Sequence, residues 1–156
     1  MTIRTATGDD VEALLVLAEA GRAEYERYAP TFWRKAADGK EKQRGYFQAL
    51  LGKSDVIALV CENLGRIEGF LIATVGEAPP VYDPGSRVVV IDDFTVSDAS
   101  QWDTLGAALL GHARERAREL GANLSVVVCA HRDAPKRNML RAGGFSLASE
   151  WYVNPA

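Results

Sequence analysis

The predicted order of secondary-structure elements is the feature that most limits the fold of this chain. A long β-branched stretch, Val88–Val96, passes through a short loop into a helical pattern. Before it, the strand patterns Val56–Cys61 and Ile67–Val75 are joined by Asn63-Leu-Gly65, a tight turn typical of a β-hairpin. After the helix, a strand over Leu124–Ala130 returns to the sheet. Antiparallel neighbours followed by a strand–helix–strand crossover predict a mixed sheet with helices on both faces.

The remaining elements complete the chain around that sheet. Thr7-Gly-Asp-Asp10 matches a capping box, in which a hydroxyl and a carboxylate satisfy the first amides of a helix whose apolar face begins at Val11. The other predicted elements are a strand over Ile3–Ala6, a helical region over 22–52 broken at Pro30, helices over about 102–120 and Ala134–Ala142, and a final strand or bent pair over Phe145–Val153. The order β-α-α-β-β-β-α-β-α-β predicts an α/β (α+β) fold in one domain, residues 1–156.

Composition excludes several classes of function. Apolar residues make up 47% of the 156 residues, which is enough for a hydrophobic core, and the formal net charge is −3. General nucleic-acid binding requires a basic excess, so no nucleic-acid partner is expected. No apolar run approaches the ~18 residues of a membrane span and no signal sequence is recognised, so we expect a cytoplasmic protein with no membrane partner. Cys61 and Cys129 lie in apolar runs and are expected to be reduced.

Several kinds of catalytic site are also disfavoured. The sequence has no G-x-G-x-x-G fingerprint, no phosphate loop and no G-x-S-x-G elbow. Its histidines and cysteines are too few and too dispersed for a zinc site, so no metal is expected. What remains is the junction in which the strand Val88–Val96 leads into a helix. The first backbone N–H groups of a helix and its dipole favour an anion such as phosphate.

At this junction stands Gln101-Trp-Asp-Thr104-Leu-Gly106, which resembles the acetyl-CoA motif [QR]-x-x-G-x-[GA] of the GNAT N-acetyltransferase superfamily. Val126–Phe145 resembles the second motif of that family, a strand and short helix that close with Gly144-Phe145. The resemblance covers essentially the whole chain. It implies a GNAT-like, mostly antiparallel twisted sheet and an N-acetyltransferase that uses acetyl-CoA as cosubstrate. The primary amine of a small molecule or peptide would attack the thioester directly.

The resemblance also implies which residues hold acetyl-CoA. The strand over Val88–Val96 would part from the next strand, and backbone groups of Phe94, Thr95 and Val96 would pair with the pantetheine amides. Asp133 stands where the family often has asparagine. The pyrophosphate would lie at the helix N-terminus formed by Gln101, Trp102, Asp103, Thr104, Leu105 and Gly106.

The sequence departs from the family pattern at three places. Thr104 replaces the first glycine, and Leu140 replaces a tyrosine that can protonate the leaving thiolate. Ser100-x-x-Asp103 predicts a capping box, in which the Asp103 carboxylate would either repel the pyrophosphate or swing aside. The alternative function is therefore a degenerate GNAT fold that acts as a CoA-binding sensor or a non-catalytic interaction module.

Asp92 and Asp93 are the candidate catalytic residues. Two carboxylates within VVVIDDFTV are costly to bury unless they are paired or line a cleft. Neighbouring strand residues point to opposite faces, so only one can face the site, and family comparison favours Asp92 as the base. The alternative is a structural acidic pair bound to Arg or Lys. His112 is expected on the apolar face of its helix, and His131 in a surface loop.

Residues 22–53 carry eight basic and four acidic side chains, a net charge of +4, whereas the rest of the chain has a net charge of −7. In the resembled family this segment borders the acceptor site, so Tyr25, Tyr28 and Trp33 are candidate substrate-binding residues; a solvated helix face is the alternative. Four basic residues of the second motif would contact phosphates or keep a surface helix soluble: Arg132, Lys136, Arg137 and Arg141. A short C-terminus that leaves a sheet edge open suggests a homodimer.

Overall fold

A five-stranded mixed sheet forms the centre of the protein in the computed structural model, which describes residues 1–156. The first four strands pair antiparallel, and the fifth runs parallel to the fourth. The strands, in spatial as well as sequence order, are β1 (Thr2–Thr5), β2 (Val56–Asn63), β3 (Arg66–Gly76), β4 (Arg87–Val96) and β5 (Ala122–Val127). The predicted hairpin joins β2 to β3, with φ values of 49° at Leu64 and 75° at Gly65 that suit a type I′ turn. The predicted mixed, mostly antiparallel sheet is confirmed.

Helices cover both faces of the sheet, as predicted. They are α1 (Val11–Tyr28), α2 (Gly39–Leu50), α3 (Ala107–Glu119) and α4 (Ala134–Ala142). A core cluster that includes Leu14, Phe47 and Phe70 joins α1 and α2 to one face. A second cluster that includes Leu109 and Met139 joins α3 and α4 to the other. None of the helices has the length and apolarity required to span a bilayer.

The predicted capping box at the start of α1 is confirmed. The Thr7 N–H donates to Asp10 Oδ2 over 2.8 Å, and a short 3₁₀ turn, Gly8–Asp10, precedes the helix. Arg4 of β1 holds both oxygens of Asp10, at 2.8 and 2.9 Å, and also contacts Glu62 of β2. The hydrogen bonds from Arg4 keep the pKa of Asp10 below its usual value. This charged cluster ties the start of α1 to two strands.

The predicted final strand over Phe145–Val153 is wrong. The chain after α4 is irregular from residue 145 to the end, and Leu147 and Trp151 are 73% and 77% exposed. A strand at this edge would need ladder hydrogen bonds to β5 and a buried face, and the segment has neither. The strand predicted over Leu124–Ala130 instead covers Ala122–Val127.

Two helix predictions also require correction. The region predicted over 22–52 comprises the end of α1, a connection and α2, because α1 continues to Tyr28. The helix predicted over 102–120 begins with a π turn, Trp102–Gly106, and becomes α-helical only from Ala107. The extra residue in a π turn shifts the phase of the residues after it. His112 therefore lies off the apolar face, with 55% of its side chain exposed.

Gly69 of β3 allows the π turn to pack closely against the sheet. A Cβ at this position would lie 2.4 Å from Leu105 Cδ2 and 3.2 Å from the Thr95 carbonyl oxygen. No side chain can be accommodated there unless Leu105 or the β3–β4 pairing shifts.

We expect Gly69→Ala to lower the free energy of unfolding by about 1–3 kcal/mol, the usual effect of overpacking a core. Gly76→Ala, in the same strand but with no atom within 4 Å of the added Cβ, is the matched control and should change stability by less than about 0.5 kcal/mol. Urea unfolding of both variants measures the difference. Equal stability of the two variants would show that the packing of Leu105 does not require glycine at position 69.

Candidate active site

Strands β4 and β5 pair along only part of their length. Their parallel ladder ends at Ile91, whose carbonyl accepts a hydrogen bond of 3.0 Å from the Val128 N–H. On the other side of β4, the register with β3 shifts at the same point and leaves Asp92 as the extra residue of a β-bulge. From Asp92 onward β4 has no strand partner on its β5 side. The fold thus provides an open strand edge beside Phe94 and Val96.

Lys136, in the first turn of α4, fills the opening beside Phe94. Its side chain is buried, with 1% of the residue exposed, and its Nζ donates to the Phe94 carbonyl over 3.1 Å. The same Nζ lies 5.1 Å from the ring centroid of Phe94 and 5.3 Å from that of Trp102. Burial lowers the pKa of Lys136, although the nearby Cys129, Asp133, Asp93 and Asp92 act in the opposite direction.

The position of Lys136 corrects its interpretation as a surface or phosphate-contacting residue. The sequence did contain a signal for burial, because Lys136, Met139 and Leu140 follow the i, i+3, i+4 spacing of one helix face. All three are buried.

Asp93 and Asp92 lie in different environments. Asp93 stands opposite Ile72 of β3 and therefore faces α1 and α2, where Gln43 Nε2 donates to its Oδ1 over 3.2 Å. Burial, followed by repulsion from Asp92, raises the pKa of Asp93 to about 6, against the opposing effects of Arg22 and Lys136. Asp92 is exposed. Gln43, which the sequence analysis did not identify, also carries a buried Oε1 without a hydrogen-bond partner.

The three predicted aromatic residues of the acceptor region come together at the end of α1. The Tyr25 ring centroid lies 4.7 Å from that of Trp33 and 6.0 Å from that of Tyr28. The Tyr25 hydroxyl accepts a hydrogen bond of 3.3 Å from the Ala130 N–H, just beyond β5, and burial raises its pKa. Earlier in α1, a Cβ added to Gly21 would lie 3.6 Å from Thr95 Oγ1. Helix α1 therefore crosses from β4 to the end of β5 and covers the parting from one side.

The C-terminal segment extends this aromatic cluster. The Phe32 ring lies 5.5 Å from Trp33 and 5.9 Å from Trp151, centroid to centroid, with both pairs edge-to-face. Neither Phe32 nor Trp151 was among the predicted site residues. Their contact depends on the path of the chain after α4, for which no local pattern exists.

Asp133 lies at the same opening but its carboxylate is already engaged. It is the N-cap of α4, and its Oδ1 accepts from the Lys136 N–H over 3.3 Å. Burial raises the pKa of Asp133, and burial also raises the pKa of the neighbouring Cys129 thiol to about 11. Asp133 therefore orients the first turn of α4, from which Lys136 extends.

The helix start at the predicted pyrophosphate site is capped differently from the prediction. The capping box is formed by Asp98 and Gln101: Asp98 Oδ1 accepts from the Ser100 N–H and hydroxyl, at 2.8 and 2.6 Å, and Gln101 Oε1 accepts from the Asp98 N–H at 3.2 Å. The predicted Ser100–Asp103 box is wrong because a 3₁₀ turn, Ala99–Gln101, starts the helical segment earlier. Asp103 is exposed, and the Thr104 hydroxyl donates to the Gln101 carbonyl over 3.3 Å.

Trp102 and Leu105 of the same motif point into the protein. The Trp102 ring packs edge-to-face on Phe94, with centroids 4.9 Å apart. A Cβ added to Gly106 would lie 2.6 Å from Trp102 Cε3, so the inward position of the indole requires glycine at 106. Two residues of the predicted cofactor motif thus form core packing.

An open cleft of about 520 Å³ lies between α3 and α4 beside this helix start. Its charged side chains include Asp103 and Arg114, and the Arg114 guanidinium lies 5.5 Å from the Phe145 ring centroid. The cleft is accessible to a ligand that contains both planar and charged groups.

The site fits acetyl-CoA in part. The open edge of β4, the helix start and the adjoining cleft are suited to an extended ligand with amide and phosphate groups. Lys136 opposes the binding of acetyl-CoA, because its ammonium already donates a hydrogen bond to the Phe94 carbonyl. The Lys136 side chain is a flexible four-carbon stem, so it is not a rigid wall of the opening.

No family model and no curated protein matches the chain by sequence. Solved structures do match over their full length. A variant of the BH1408 protein from Bacillus halodurans has a TM-score of 0.85 at 15% identity, with coverage of 100% of this chain and 99% of the other. Aminoglycoside 6′-N-acetyltransferase AAC(6′)-Ig from Acinetobacter haemolyticus has a TM-score of 0.75 at 15% identity, with 100% and 98% covered.

A predicted acetyltransferase from Clostridium acetobutylicum, solved with acetyl-CoA, has a TM-score of 0.73 at 17% identity, with coverage of 99% of this chain and 95% of the other. Similarity of this kind establishes the architecture: the chain has the fold of the GNAT acetyltransferases.

Proposed function

We propose that this protein is an N-acetyltransferase that transfers the acetyl group of acetyl-CoA to a primary amine of a small molecule or peptide. The observation that carries the proposal is Asp93, a half-buried carboxylate with a pKa of about 6 at the point where β4 parts from β5. Two proteins with the same fold are named as acetyltransferases, and one of them was solved with acetyl-CoA. Low identity to these proteins leaves the chemistry to be argued from the residues of this chain.

Asp93 is suited to accept a proton from an ammonium substrate. A primary amine is protonated at neutral pH and must lose a proton before it can attack. A carboxylate with a pKa of about 6 is ionised at pH 7 yet more basic than an exposed aspartate, which is what a general base requires. We therefore assign the base to Asp93 rather than to the exposed Asp92, which contributes by raising the pKa of its neighbour. The unpaired Oε1 of Gln43 adds a hydrogen-bond acceptor beside Asp93 for the same amine.

The acceptor would lie between Asp93 and the aromatic residues at the end of α1. Tyr25, Tyr28 and Trp33 present aromatic rings, whose faces attract cations. Asp133, near Tyr25 and Tyr28, adds negative charge on the same side. Together these groups favour a cationic acceptor with an apolar or planar body.

Bound acetyl-CoA would supply the activated acetyl group as a thioester. Backbone groups of Phe94, Thr95 and Val96 on the open edge of β4 would hold its pantetheine arm. The helix start over Gln101–Gly106, which includes Trp102, Asp103, Thr104 and Leu105, would lie beside its phosphates. The side chains of Trp102 and Leu105 are buried, so any contact from these two residues would come from their backbone.

A CoA-binding sensor is the second candidate function, and the buried Leu140 is the observation that favours it. Leucine cannot protonate a leaving thiolate. Thiol release from acetyl-CoA in the presence of an amine panel separates the two functions: an acetyltransferase releases CoA in proportion to acetylated amine, whereas a sensor binds acetyl-CoA and releases none.

We expect Asp93→Asn to reduce turnover of acetyl-CoA with its best amine by about 10²–10⁴-fold, the range for loss of a general base. Wild-type turnover should rise with pH through about 6 as Asp93 ionises. Asp92→Asn is the matched control, because it removes the same charge from the adjacent exposed residue. It should retain most turnover and move the pH midpoint downward. The assignment is contradicted if Asp92→Asn loses turnover and Asp93→Asn keeps it.

The raised pKa of Asp93 also predicts a pH effect on stability. The folded state binds the Asp93 proton more tightly than the unfolded state, so this residue lowers the free energy of unfolding as pH rises from about 4 to about 6. Asp93→Asn removes the effect. We expect it to be more stable than wild type by about 1–3 kcal/mol at pH 7 and equally stable at pH 4. Thermal unfolding across this range measures the difference, and a constant offset between the two proteins would refute it.

A homodimer through the β5 edge is also proposed. β5 is the last strand of the sheet, and Leu124 and Val126 in it, with Val128 just after it, expose apolar side chains. Such an edge is a surface on which a second copy can pair. Light scattering should give twice the chain mass, reduced to the monomer mass by Val126→Lys but not by Val16→Lys, which charges an exposed apolar position on α1. A strictly monomeric wild type would contradict the proposal.

A further inference from the structure

Lys136 is the one fully buried charged side chain of the core, and no step of the proposed transfer requires it to be there. A buried ammonium is destabilising unless its donors are satisfied. Lys136 Nζ makes one hydrogen bond, to the Phe94 carbonyl, and lies near two aromatic rings. Nearby groups, Cys129 and the carboxylates of Asp133, Asp93 and Asp92, favour its charge without accepting a hydrogen bond from it.

The surrounding residues orient the Lys136 side chain into the opening between β4 and β5. Asp133 caps the helix on which Lys136 lies, and the Phe94 and Trp102 rings stand 4.9 Å apart beside its ammonium. Trp102 can adopt this position because residue 106 is glycine. The placement of the ammonium on the free carbonyl of β4 is therefore supported by α4, by β4 and by the helix start.

We propose that Lys136 is a displaceable plug that closes the opening between β4 and β5 and must be expelled before CoA or acetyl-CoA can occupy it. The inference rests on the proposed function only in taking CoA as the ligand of this opening. An amide N–H from a ligand and the Lys136 ammonium would compete for the same acceptor, the Phe94 carbonyl. The opening is thus available only in the fraction of molecules in which Lys136 has withdrawn, and the apparent affinity falls by that fraction.

A lysine is chemically suited to such a role. Its ammonium is strongly hydrated, so the hydration regained on leaving the opening offsets the lost hydrogen bond. Its stem has several rotatable bonds, so it can withdraw without movement of α4. A leucine or methionine at this position would gain no such hydration outside.

The test is calorimetric titration of CoA into the wild type and Lys136→Ala, with no acceptor amine present. We expect Lys136→Ala to bind CoA at least ten-fold more tightly, which corresponds to about 1.4 kcal/mol. Simple electrostatics predicts the reverse, because the substitution removes a positive charge near an anionic ligand. Arg141→Ala, an exposed position of the same helix, is the control for that effect and should leave affinity unchanged or weaker.

Lys136→Met provides a second variant that keeps the bulk between the rings but removes the charge, so it stays informative if the alanine variant folds poorly. We expect its affinity to exceed that of the wild type and to fall below that of Lys136→Ala. Equal CoA affinity of wild type and both variants would overturn the plug and leave the cofactor assignment intact. Absence of CoA binding in all three would overturn the plug and the acetyl-CoA assignment together.

Discussion

The β-bulge at Asp92 is the feature on which the rest of the site depends. Val89 and Ile91 face α3, and strict alternation along β4 would have placed Asp93 on the same face, inside the apolar cluster. The extra residue reverses the alternation, so Phe94 continues the apolar face and Asp93 turns toward α1 and α2. The same irregularity coincides with the end of the β4–β5 ladder. One inserted residue thus turns the candidate base toward α1 and α2 at the point where the strand edge toward β5 opens.

Sequence reasoning succeeded where local chemistry determines structure. The Thr7–Asp10 cap, the Leu64-Gly65 turn and the bounds of α4, Ala134–Ala142, follow from side-chain hydrogen bonds, positive φ and helix periodicity within a few residues. It failed where the outcome depends on distant packing. The segment after Phe145 contains apolar residues spaced like those of a strand, but whether it pairs depends on the far edge of β5, and it remains irregular.

In the candidate site, too, local chemistry was predictable from the sequence and distant packing was not. Tyr25, Tyr28 and Trp33 were predicted together because this segment borders the acceptor site in the resembled family. Their rings do come together, which their closeness in sequence favours. Alternation indicated only that one of Asp92 and Asp93 could face the site, and family comparison favoured Asp92. The environments of the two residues depend on the bulge, which no residue pattern predicts. Lys136, which stands among arginines, was predicted either to contact phosphates or to keep a surface helix soluble. Met139 and Leu140, at i+3 and i+4, instead indicated a buried helix face. Lys136 is buried with its ammonium against the Phe94 carbonyl, so helix periodicity outweighs local charge here.

Asp93 and Lys136 are coupled across β4, and the coupling gives the plug a chemical consequence. Each lowers the electrostatic penalty of the other's charge, and Lys136 is one of two cations, with Arg22, that hold down the pKa of Asp93. Withdrawal of the ammonium removes one of these influences, whereas burial and repulsion from Asp92 remain. It follows that Asp93 becomes more basic when the opening is filled by a ligand. The base would then be strongest in the state in which a cosubstrate has displaced Lys136, which links occupancy of the opening to proton removal from the acceptor.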